Sequence, residues 1–178
     1  MNTNEDKQIE EIIQALKYAV GDIEHNLSRP LSCFILCVCC IDAMGAVRYF
    51  KGGSGDRFEK FIDNYMNEYS GQNIYKVCRS KMVHNYSSNR KYGVTHDEAF
   101  TARFDTIGGK LIIQTTLFAQ RIKSAFEELQ TELLEGKTDA RAKAIKWDNK
   151  PRMIPGSGPA SNITADCFCD TSCFLPDT

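Results

Sequence analysis

The residues with the clearest chemical potential are Arg79, His84 and Tyr86, which lie in the spacing R-x4-H-x-Y. A histidine titrates near neutral pH, so it can remove a proton from a reacting group and later return it. An arginine is permanently charged, and its planar fork can hold the oxygens of a phosphate group. The spacing therefore indicates acid–base chemistry at a phosphate.

The charge distribution around these residues favours a phosphate-binding surface. The whole chain has 22 Lys plus Arg against 23 Asp plus Glu, and a net charge of −1 argues against a dedicated nucleic-acid binder. The 28 residues from 69 to 96 nevertheless hold five basic residues and no acidic one, which leaves 17 basic against 23 acidic residues elsewhere. We call residues 69–96 the basic island. Its alternative interpretation is a solvated surface that happens to lack acids.

Several side chains of the basic island are candidates for contacts with RNA. The candidate RNA-binding residues are Lys76, Lys81, Asn85, Arg90 and Lys91. Four tyrosines, Tyr69, Tyr75, Tyr86 and Tyr92, lie within the island. Aromatic faces can stack on unpaired bases, so this composition is typical of single-stranded nucleic-acid binding.

The segment from Cys78 to Tyr86 resembles the HEPN superfamily, whose nuclease members carry an Arg, four to six residues, and then a His. The tyrosine two residues after the histidine is similar to the HepT toxin branch. The resemblance covers the helical part of the chain, roughly residues 5 to 135, and its specific motif about ten residues. It implies an all-α bundle that is a metal-independent endoribonuclease without a cofactor, acting as a toxin or an antiviral defence effector.

The implied reaction is consistent with the residue types. RNA carries its own nucleophile, the 2′-hydroxyl beside the scissile phosphate, which His84 would activate while Arg79 stabilises the developing charge. The expected products are a 2′,3′-cyclic phosphate and a 5′-hydroxyl, and DNA should be inert. Tyr86 would be a positioning or regulatory residue, since the resemblance implies that nucleotidylation there would block the site.

The motif also indicates which partners to expect for this chain. Five residues on an ideal helix turn by about 140°, so Arg79 and His84 do not share a face of one regular helix. The two residues could still form one site if the helix bends between them. They could also do so if a second copy of the chain completes the site, and the resemblance favours this explanation, with the two copies forming a two-fold homodimer. The resemblance further implies a nucleotidyltransferase-type antitoxin as partner. No signal-peptide pattern precedes the first helix, which predicts a cytoplasmic location without membrane attachment.

One departure from the family pattern supports a different function. Many HEPN members have a polar amide or acid directly after the arginine, whereas Ser80 follows Arg79 here. The alternative is therefore a non-catalytic HEPN-like module that binds RNA, nucleotide or protein. A purely structural helical interaction protein is the third hypothesis.

The elements that must position these residues are predicted from helical periodicity. An apolar stripe from Ile9 to Leu27 predicts a first helix, and Arg29-Pro30 ends it. A second, central helix is expected from Pro30 to Phe50, because it is apolar nearly all round and proline suits a first helical turn. The Gly52–Gly55 stretch predicts a flexible loop. A third amphipathic helix follows, from about Phe58 to Tyr69.

Further helices are predicted beyond Gly71. Apolar residues from Ile74 to Val83 predict a short fourth helix, and Thr95 with Glu98 forms a capping-box pattern for another. A long helix is expected from about Lys110 to Glu135. No segment alternates with period two, so no strand is predicted.

The predicted fold class is thus all-α, an up-and-down bundle of four to five main helices. The predicted organisation is a bundle over 1–136, a candidate further helix over 137–150, and a flexible cysteine-containing tail over 151–178.

The eight cysteines do not predict a metal site. Cys33, Cys37 and Cys40 share one helical face among large apolar residues, which favours core packing over zinc binding. The tail cysteines, Cys167 and Cys169 with Cys173, supply three thiols without an obvious fourth ligand. We therefore expect no metal.

Overall fold

The computed structural model describes residues 3–76, 92–136 and 138–148. In chain order the elements are α1 (Thr3–His25), α2 (Pro30–Tyr49), α3 (Ser54–Tyr65), a 3₁₀ turn (Asn67–Tyr69), β1 (Tyr92–Thr95), β2 (Phe104–Ile107), β3 (Lys110–Gln114), α4 (Thr115–Leu134) and α5 (Thr138–Asp148). The described part of the chain is mainly helical and includes a small three-stranded sheet.

The first two helices agree closely with the periodicity of the sequence. The apolar stripe of α1 is buried from Ile9 to Ile23. Pro30 occupies the first turn of α2, where its missing N–H needs no partner. The predicted end of α1 before Arg29-Pro30 and the predicted start of α2 are therefore confirmed.

Helix α2 is the centre of the bundle and packs against α1, α3, α4 and α5. Among the described helices, it is the one that is long and apolar enough to cross a membrane. However, 56% of its apolar window is buried within the protein. Packing on four neighbouring helices is the environment of a core helix, which accounts for its composition without a membrane.

A glycine sets the separation of α2 and α3. A β-carbon on Gly45 would lie 2.8 Å from the backbone oxygen of Arg57, closer than side-chain carbons approach such an atom. Phe58, Phe61 and Ile62 of α3 are fully buried beside this contact. The two backbones therefore come together only because position 45 has no side chain.

The all-α prediction is wrong in one respect, since three short strands form a sheet in the order β1-β3-β2. Strand β1 pairs with β3 in parallel, and β2 pairs with β3 as an antiparallel hairpin. The hairpin loop is Gly108-Gly109, and both residues have positive φ, 57° and 76°. Two adjacent residues of positive φ match the right-handed twist of a hairpin, so a glycine pair suits this loop.

Two predicted helix starts are also wrong. Thr95 does not begin a helix but ends β1, and its Oγ1 accepts a hydrogen bond from the Asp97 N–H at 3.1 Å in a local turn. The predicted helix from Lys110 begins five residues later, at Thr115, because the first part of that segment is β3. Gln114 caps α4, since its Oε1 accepts hydrogen bonds from the backbone N–H groups of residues 116 and 117.

The sheet packs on the bundle through aromatic residues. Tyr69, from the 3₁₀ turn, is buried between Phe104 of β2 and Phe118 of α4, with ring centroids 5.6 Å and 4.9 Å away. Phe118 in turn contacts Phe34 of α2 at 5.3 Å. Ile113 of β3 is buried on the same side. One aromatic row thus connects the sheet to the central helix.

Arg121 joins the end of α3 to α4. Its Nε lies 3.2 Å from Oε1 of Glu68, its Nη1 lies 2.9 Å from Oε1 of Glu128, and it donates a hydrogen bond to the backbone oxygen of Tyr65. Arg103 approaches the same Glu68 oxygen at 3.3 Å. Because the Arg121 and Glu68 side chains are only 21% and 18% exposed, the Arg121–Glu68 pair is shielded from solvent more than an ordinary surface pair.

Helix α5 occupies residues 138–148 and contacts both α1 and α2. Its Ala140 and Ala144 are buried. Arg141 donates hydrogen bonds to the backbone oxygen of Leu133 at 3.0 Å and to the carboxylate of Asp6. The predicted tail, 151–178, lies outside the described residues.

Candidate functional site

Of the residues predicted to form the site, the structure describes Lys76, which is exposed. The other predicted site residues lie outside the described residues: Arg79, Lys81, His84, Asn85, Tyr86, Arg90 and Lys91. The same holds for the predicted fourth helix beyond residue 76. We call residues 77–91 the segment. The structure describes the chain up to Lys76, at the entrance to the segment, and again from Tyr92, at its exit.

Tyr75 fixes the entrance to the segment. Its hydroxyl lies 2.7 Å from Oγ of Ser54, at the start of α3, and its backbone N–H donates to Oε1 of Glu59 at 3.3 Å. Its ring also packs on Phe58, with centroids 5.3 Å apart. Backbone, hydroxyl and ring are therefore each held by a different residue of the same helix.

Gly55 packs against the Tyr75 ring. A β-carbon at this position would lie 2.8 Å from Cε1 and 3.1 Å from Cδ1 of the ring. The neighbouring Gly53 has more room, since its nearest side-chain atom would be Oδ2 of Asp56 at 3.5 Å. The Gly52–Gly55 stretch is thus more than the flexible loop that the sequence predicts: Ser54 and Gly55 form the first turn of α3, and Gly55 accommodates an aromatic ring.

The chain that follows the segment is held in place by the sheet and by a second tyrosine, Tyr92. Tyr92 to Thr95 form β1, whose partner strand β3 runs directly into α4. The Tyr92 hydroxyl donates to the backbone oxygen of Gln72 at 3.4 Å. This hydrogen bond links Tyr92, which follows the segment, to Gln72, which lies four residues before Lys76.

The exposed charges beside the entrance are partly basic. Lys51 and Lys76 are exposed, and Arg57 Nη1 donates to the backbone oxygen of Gly52 at 2.7 Å. The carboxyl of Glu59 accepts the Tyr75 N–H, and burial raises the pKa of that carboxyl above the usual value, although the hydrogen bond partly offsets this effect. The described surface at the entrance is therefore mixed rather than uniformly positive.

A second concentration of polar side chains, which the sequence did not reveal, lies where α2 ends. Arg48 Nε is 3.0 Å from the Tyr65 hydroxyl and 2.9 Å from Oε2 of Glu132, and Arg48 Nη1 is 3.5 Å from Asp139. These residues come from α2, α3, α4 and α5. Arg48 is thus held by partners from three other helices.

The Arg48 cluster lines a cleft of about 430 Å³. Tyr49 lies at its wall, where its hydroxyl accepts from Asn64 Nδ2 at 2.7 Å and the Lys60 ammonium sits 4.9 Å from its ring centre. Burial raises the pKa of both Tyr49 and Tyr65 above the usual range, so both phenols are protonated at neutral pH.

The charges of the cleft balance one another. The charged residues that line it are three cations, Arg48, Lys60 and Lys143, and three carboxylates, Glu128, Glu132 and Asp139. Lys143 pairs with Asp139 at 2.6 Å, and Glu128 pairs with Arg121. A network in which cations and carboxylates neutralise one another is suited to holding helices together and offers no obvious nucleophile. The sequence signal for it was an arginine near the end of a largely apolar helix.

The cysteines of α2 follow the predicted helical face. Cys33, Cys37 and Cys40 are buried and Cys39 is exposed. Burial raises the pKa of Cys37 well above its usual value and that of Cys40 to about 12. Within residues 3–76, 92–136 and 138–148, the structure contains no group of three or more His, Cys, Asp or Glu side chains arranged to hold a metal ion.

Comparison of the chain with protein-family models, with curated proteins and with solved structures gives no match.

Proposed function

We propose that this chain is a metal-independent endoribonuclease of the HEPN type, which acts in the cytoplasm as a toxin or an antiviral defence effector. The observation that carries the proposal is the R-x4-H-x-Y motif within an acid-free segment of charge +5. A predominantly helical bundle is compatible with it, whereas the three-stranded sheet is an addition that the resemblance does not imply.

In this proposal the two motif residues divide the chemistry. His84 removes the proton of the 2′-hydroxyl and returns a proton to the leaving 5′-oxygen, while Arg79 contacts the phosphate oxygens and stabilises their growing negative charge. Tyr86 positions the substrate or regulates access to the site. The P–O5′ bond breaks as the O2′–P bond forms, which gives a cyclic phosphate and a 5′-hydroxyl.

The surrounding side chains bind the RNA backbone. The residues assigned to this role are Lys76, Lys81, Asn85, Arg90 and Lys91. The exposure of the Lys76 side chain supports its assignment to this role. Binding through phosphates releases counterions, so we expect affinity to fall steeply with salt concentration.

The proposed active unit is a homodimer. A two-fold axis would bring two copies of Arg79 and His84 into one cleft, which removes the difficulty that these residues do not share a face of a regular helix. A nucleotidyltransferase-type antitoxin is the proposed regulatory partner, with Tyr86 as its target.

Cleavage of labelled RNA in the presence of EDTA tests the proposal. We expect a 2′,3′-cyclic phosphate product, no cleavage of the matching DNA, and a loss of rate of at least about 100-fold in His84→Ala. His25→Ala is the matched control, because His25 is an exposed histidine of α1 outside both the motif and the basic island, and it should cleave at the rate of the wild-type chain. RNA that stays intact with the wild-type dimer would overturn the enzymatic proposal.

Ser80 favours one second candidate, a non-catalytic HEPN-like module that binds RNA, nucleotide or protein. This function predicts salt-sensitive binding without turnover, measured by fluorescence anisotropy of a labelled oligonucleotide. Binding would then be unchanged in His84→Ala, since no proton transfer is involved, and weakened in Lys76→Ala.

A further inference from the structure

Helix α5 packs mainly on α1 and α2, and less on α4, the helix that precedes it in the chain. Its fully buried side chains are two small ones, Ala140 and Ala144. Alanines four residues apart lie on one face of a helix, so α5 contacts the bundle through a face of small side chains. We call the surface that α1 and α2 present to α5, which includes Asp6 and Arg48, the α5 groove.

Charged side chains near the start of α5 make this contact specific. Arg141 donates a hydrogen bond to the carboxylate of Asp6 in α1, and the carboxylate of Asp139 lies 3.5 Å from Nη1 of Arg48 in α2. The Arg141 and Asp6 side chains are 18% and 38% exposed, so this pair is partly shielded from solvent. The α5 groove therefore binds a helix that places an arginine and an aspartate beside its alanine face.

The turn between α4 and α5 depends on one glycine. Gly136 has a φ of 73°, in the left-handed region that residues with a β-carbon rarely adopt. Helix α4 ends at Leu134 and α5 begins at Thr138, so the connection is short. If Gly136 takes an ordinary helical φ, α4 can continue into α5 as one helix. Such a helix carries α5 away from its own groove and leaves that groove open.

We propose that the α5 groove accepts α5 from a second copy of this chain, and that Gly136 is the hinge of the exchange. Both copies have the same groove and the same α5, so a reciprocal exchange restores the contacts between them. The carbonyl of Leu133, which accepts a hydrogen bond from Arg141 when α5 lies in its own groove, would accept a backbone N–H of the continuous helix instead. This inference does not rest on the proposed function, because it involves only α1, α2, α4 and α5.

Two charge-reversed chains test whether α5 crosses between copies. Asp6→Arg places two arginines opposite each other within one chain, and Arg141→Asp places two aspartates there. Because like charges repel, α5 should be loosened in each chain alone. When the two chains are unfolded in urea and refolded together, a reciprocal exchange sets an arginine opposite an aspartate in both grooves. Mixing without exchange restores neither pair.

Hydrogen exchange of peptides that cover residues 138–148, followed by mass spectrometry, measures how firmly α5 is held. We expect it to be at least about 10-fold faster in each variant alone than in the wild-type chain, and within about threefold of the wild-type rate in the mixture. A mixture that exchanges as fast as its separate chains would overturn the proposal. Single variants with wild-type protection would also overturn it, because the Asp6–Arg141 pair would then not hold α5.

The matched control reverses a pair that lies outside α5. Glu24 of α1 and Lys123 of α4 form an ion pair at 2.7 Å, and neither helix leaves the bundle in the proposed exchange. Mixing Glu24→Lys with Lys123→Glu chains should therefore leave the hydrogen exchange of α1 and α4 the same as in the separate chains. Recovery in this control as well would mean that mixing acts through something other than the transfer of α5.

Gly136→Ala tests the hinge, and Gly71→Ala is its matched control. The two glycines have φ values of 73° and 75°, and a β-carbon at either position meets no described atom within 4 Å. Alanine is thus strained similarly at both, but only the strain at position 136 is relieved by exchange. We expect Gly136→Ala to lower the dissociation constant of self-association at least about 10-fold, and Gly71→Ala to change it by no more than about twofold.

Sedimentation equilibrium of the two glycine variants measures these constants. A homodimer formed at the proposed catalytic site would raise the mass of both variants equally, so the difference between them isolates the exchange of α5. Equal dissociation constants for the two variants would overturn the role of Gly136 as the hinge, whether or not the chain cleaves RNA.

Discussion

Gly45 of α2 faces the carbonyl of Arg57 in α3 so closely that a β-carbon on the glycine would lie 2.8 Å from that oxygen. The partner atom belongs to a helix backbone and cannot rotate away. The α2–α3 pair therefore has a fixed separation, and the buried aromatic residues of α3 depend on it.

The first prediction concerns this contact. Gly45→Ala should destabilise the fold by about 1–3 kcal/mol, because the added methyl forces the two helices apart. Gly21 in α1 is the control, since a β-carbon there meets nothing within 4 Å. Gly21→Ala should stabilise by about 0.5–1 kcal/mol through helix propensity. Urea unfolding followed by circular dichroism measures both, and equal signs would contradict the packing argument.

The second prediction concerns the network around Arg121. Arg121→Met should lower the free energy of unfolding by about 2–4 kcal/mol, because it leaves the shielded Glu68 carboxylate and the Tyr65 carbonyl without this donor. Lys123→Met in the same helix is the control, since Lys123 and Glu24 form an exposed pair, 53% and 48% accessible. That change should leave the free energy of unfolding nearly unchanged, because solvent screens an exposed pair. Similar losses in both variants would show that shielding is unimportant here.

The third prediction concerns the hydroxyl of Tyr69. Its oxygen is buried and has no hydrogen-bond partner among the residues that the structure describes. Tyr69→Phe should therefore leave stability unchanged or raise it by about 1 kcal/mol. Tyr49→Phe is the counterpart, since the Tyr49 hydroxyl is bonded to Asn64, and it should lose about 0.5–1.5 kcal/mol. A destabilised Tyr69→Phe would reveal a buried water on that oxygen.

The fourth prediction concerns pH. Burial raises the pKa of Glu59 in the folded chain above its ordinary value of 4.5, so the folded state binds this proton more tightly than the unfolded state does. Stability contributed by the protonated form is present below the ordinary pKa and is lost as pH rises through the folded pKa. Glu59→Gln removes this titration and still accepts from the Tyr75 N–H.

The measurement for Glu59 is a series of unfolding curves from pH 4 to pH 7. We expect the variant to lose less stability than the wild-type chain as the pH rises above 4.5, the ordinary pKa of this carboxyl, and to be at least as stable at pH 7. A steeper decline in the variant would mean that the folded state favours the ionised carboxylate.

The fifth prediction concerns the thiols of α2. Cys39 should react with iodoacetamide in the folded chain, whereas Cys33, Cys37 and Cys40 should react at least about 100-fold more slowly, because they are buried and alkylation requires an exposed thiolate. Peptide mapping by mass spectrometry gives the four rates. Unfolding in urea should make the four rates similar. A fast reaction at Cys37 in the absence of urea would contradict the core packing.

How much of the fold can be predicted from the sequence depends on how far apart along the chain the interacting residues lie. The stripe of α1 and the start of α2 at Pro30 are local patterns, and both were predicted correctly. Strand β1 pairs with residues 19 positions later, for example Tyr92 with Leu111, and its four residues are all half-buried, so it has no alternating signal. The one local signal of a sheet was the pair Gly108-Gly109, a recognised hairpin sequence.

The same distinction applies to the candidate sites. Arg79, His84 and Tyr86 form a local spacing that can be noticed in the chain alone. Arg48 and its partners come from four helices, so no spacing connects them. Gly55 and Tyr75 are 20 residues apart, and only the folded chain brings the ring over the glycine. Thr95 shows the opposite error, because its hydroxyl caps a two-residue turn as readily as a helix.

The sheet also divides its chain-entropy cost unequally between its two strand pairs. The β2–β3 hairpin closes a loop of two residues, whereas pairing β1 with β3 closes a loop that spans residues 96–109. Because the longer loop costs more chain entropy, the β1–β3 pair depends more on contacts outside the sheet. One such contact is the hydrogen bond that the Thr115 hydroxyl donates to the Thr95 carbonyl oxygen at 2.8 Å, which ties the end of β1 to the helix that follows β3.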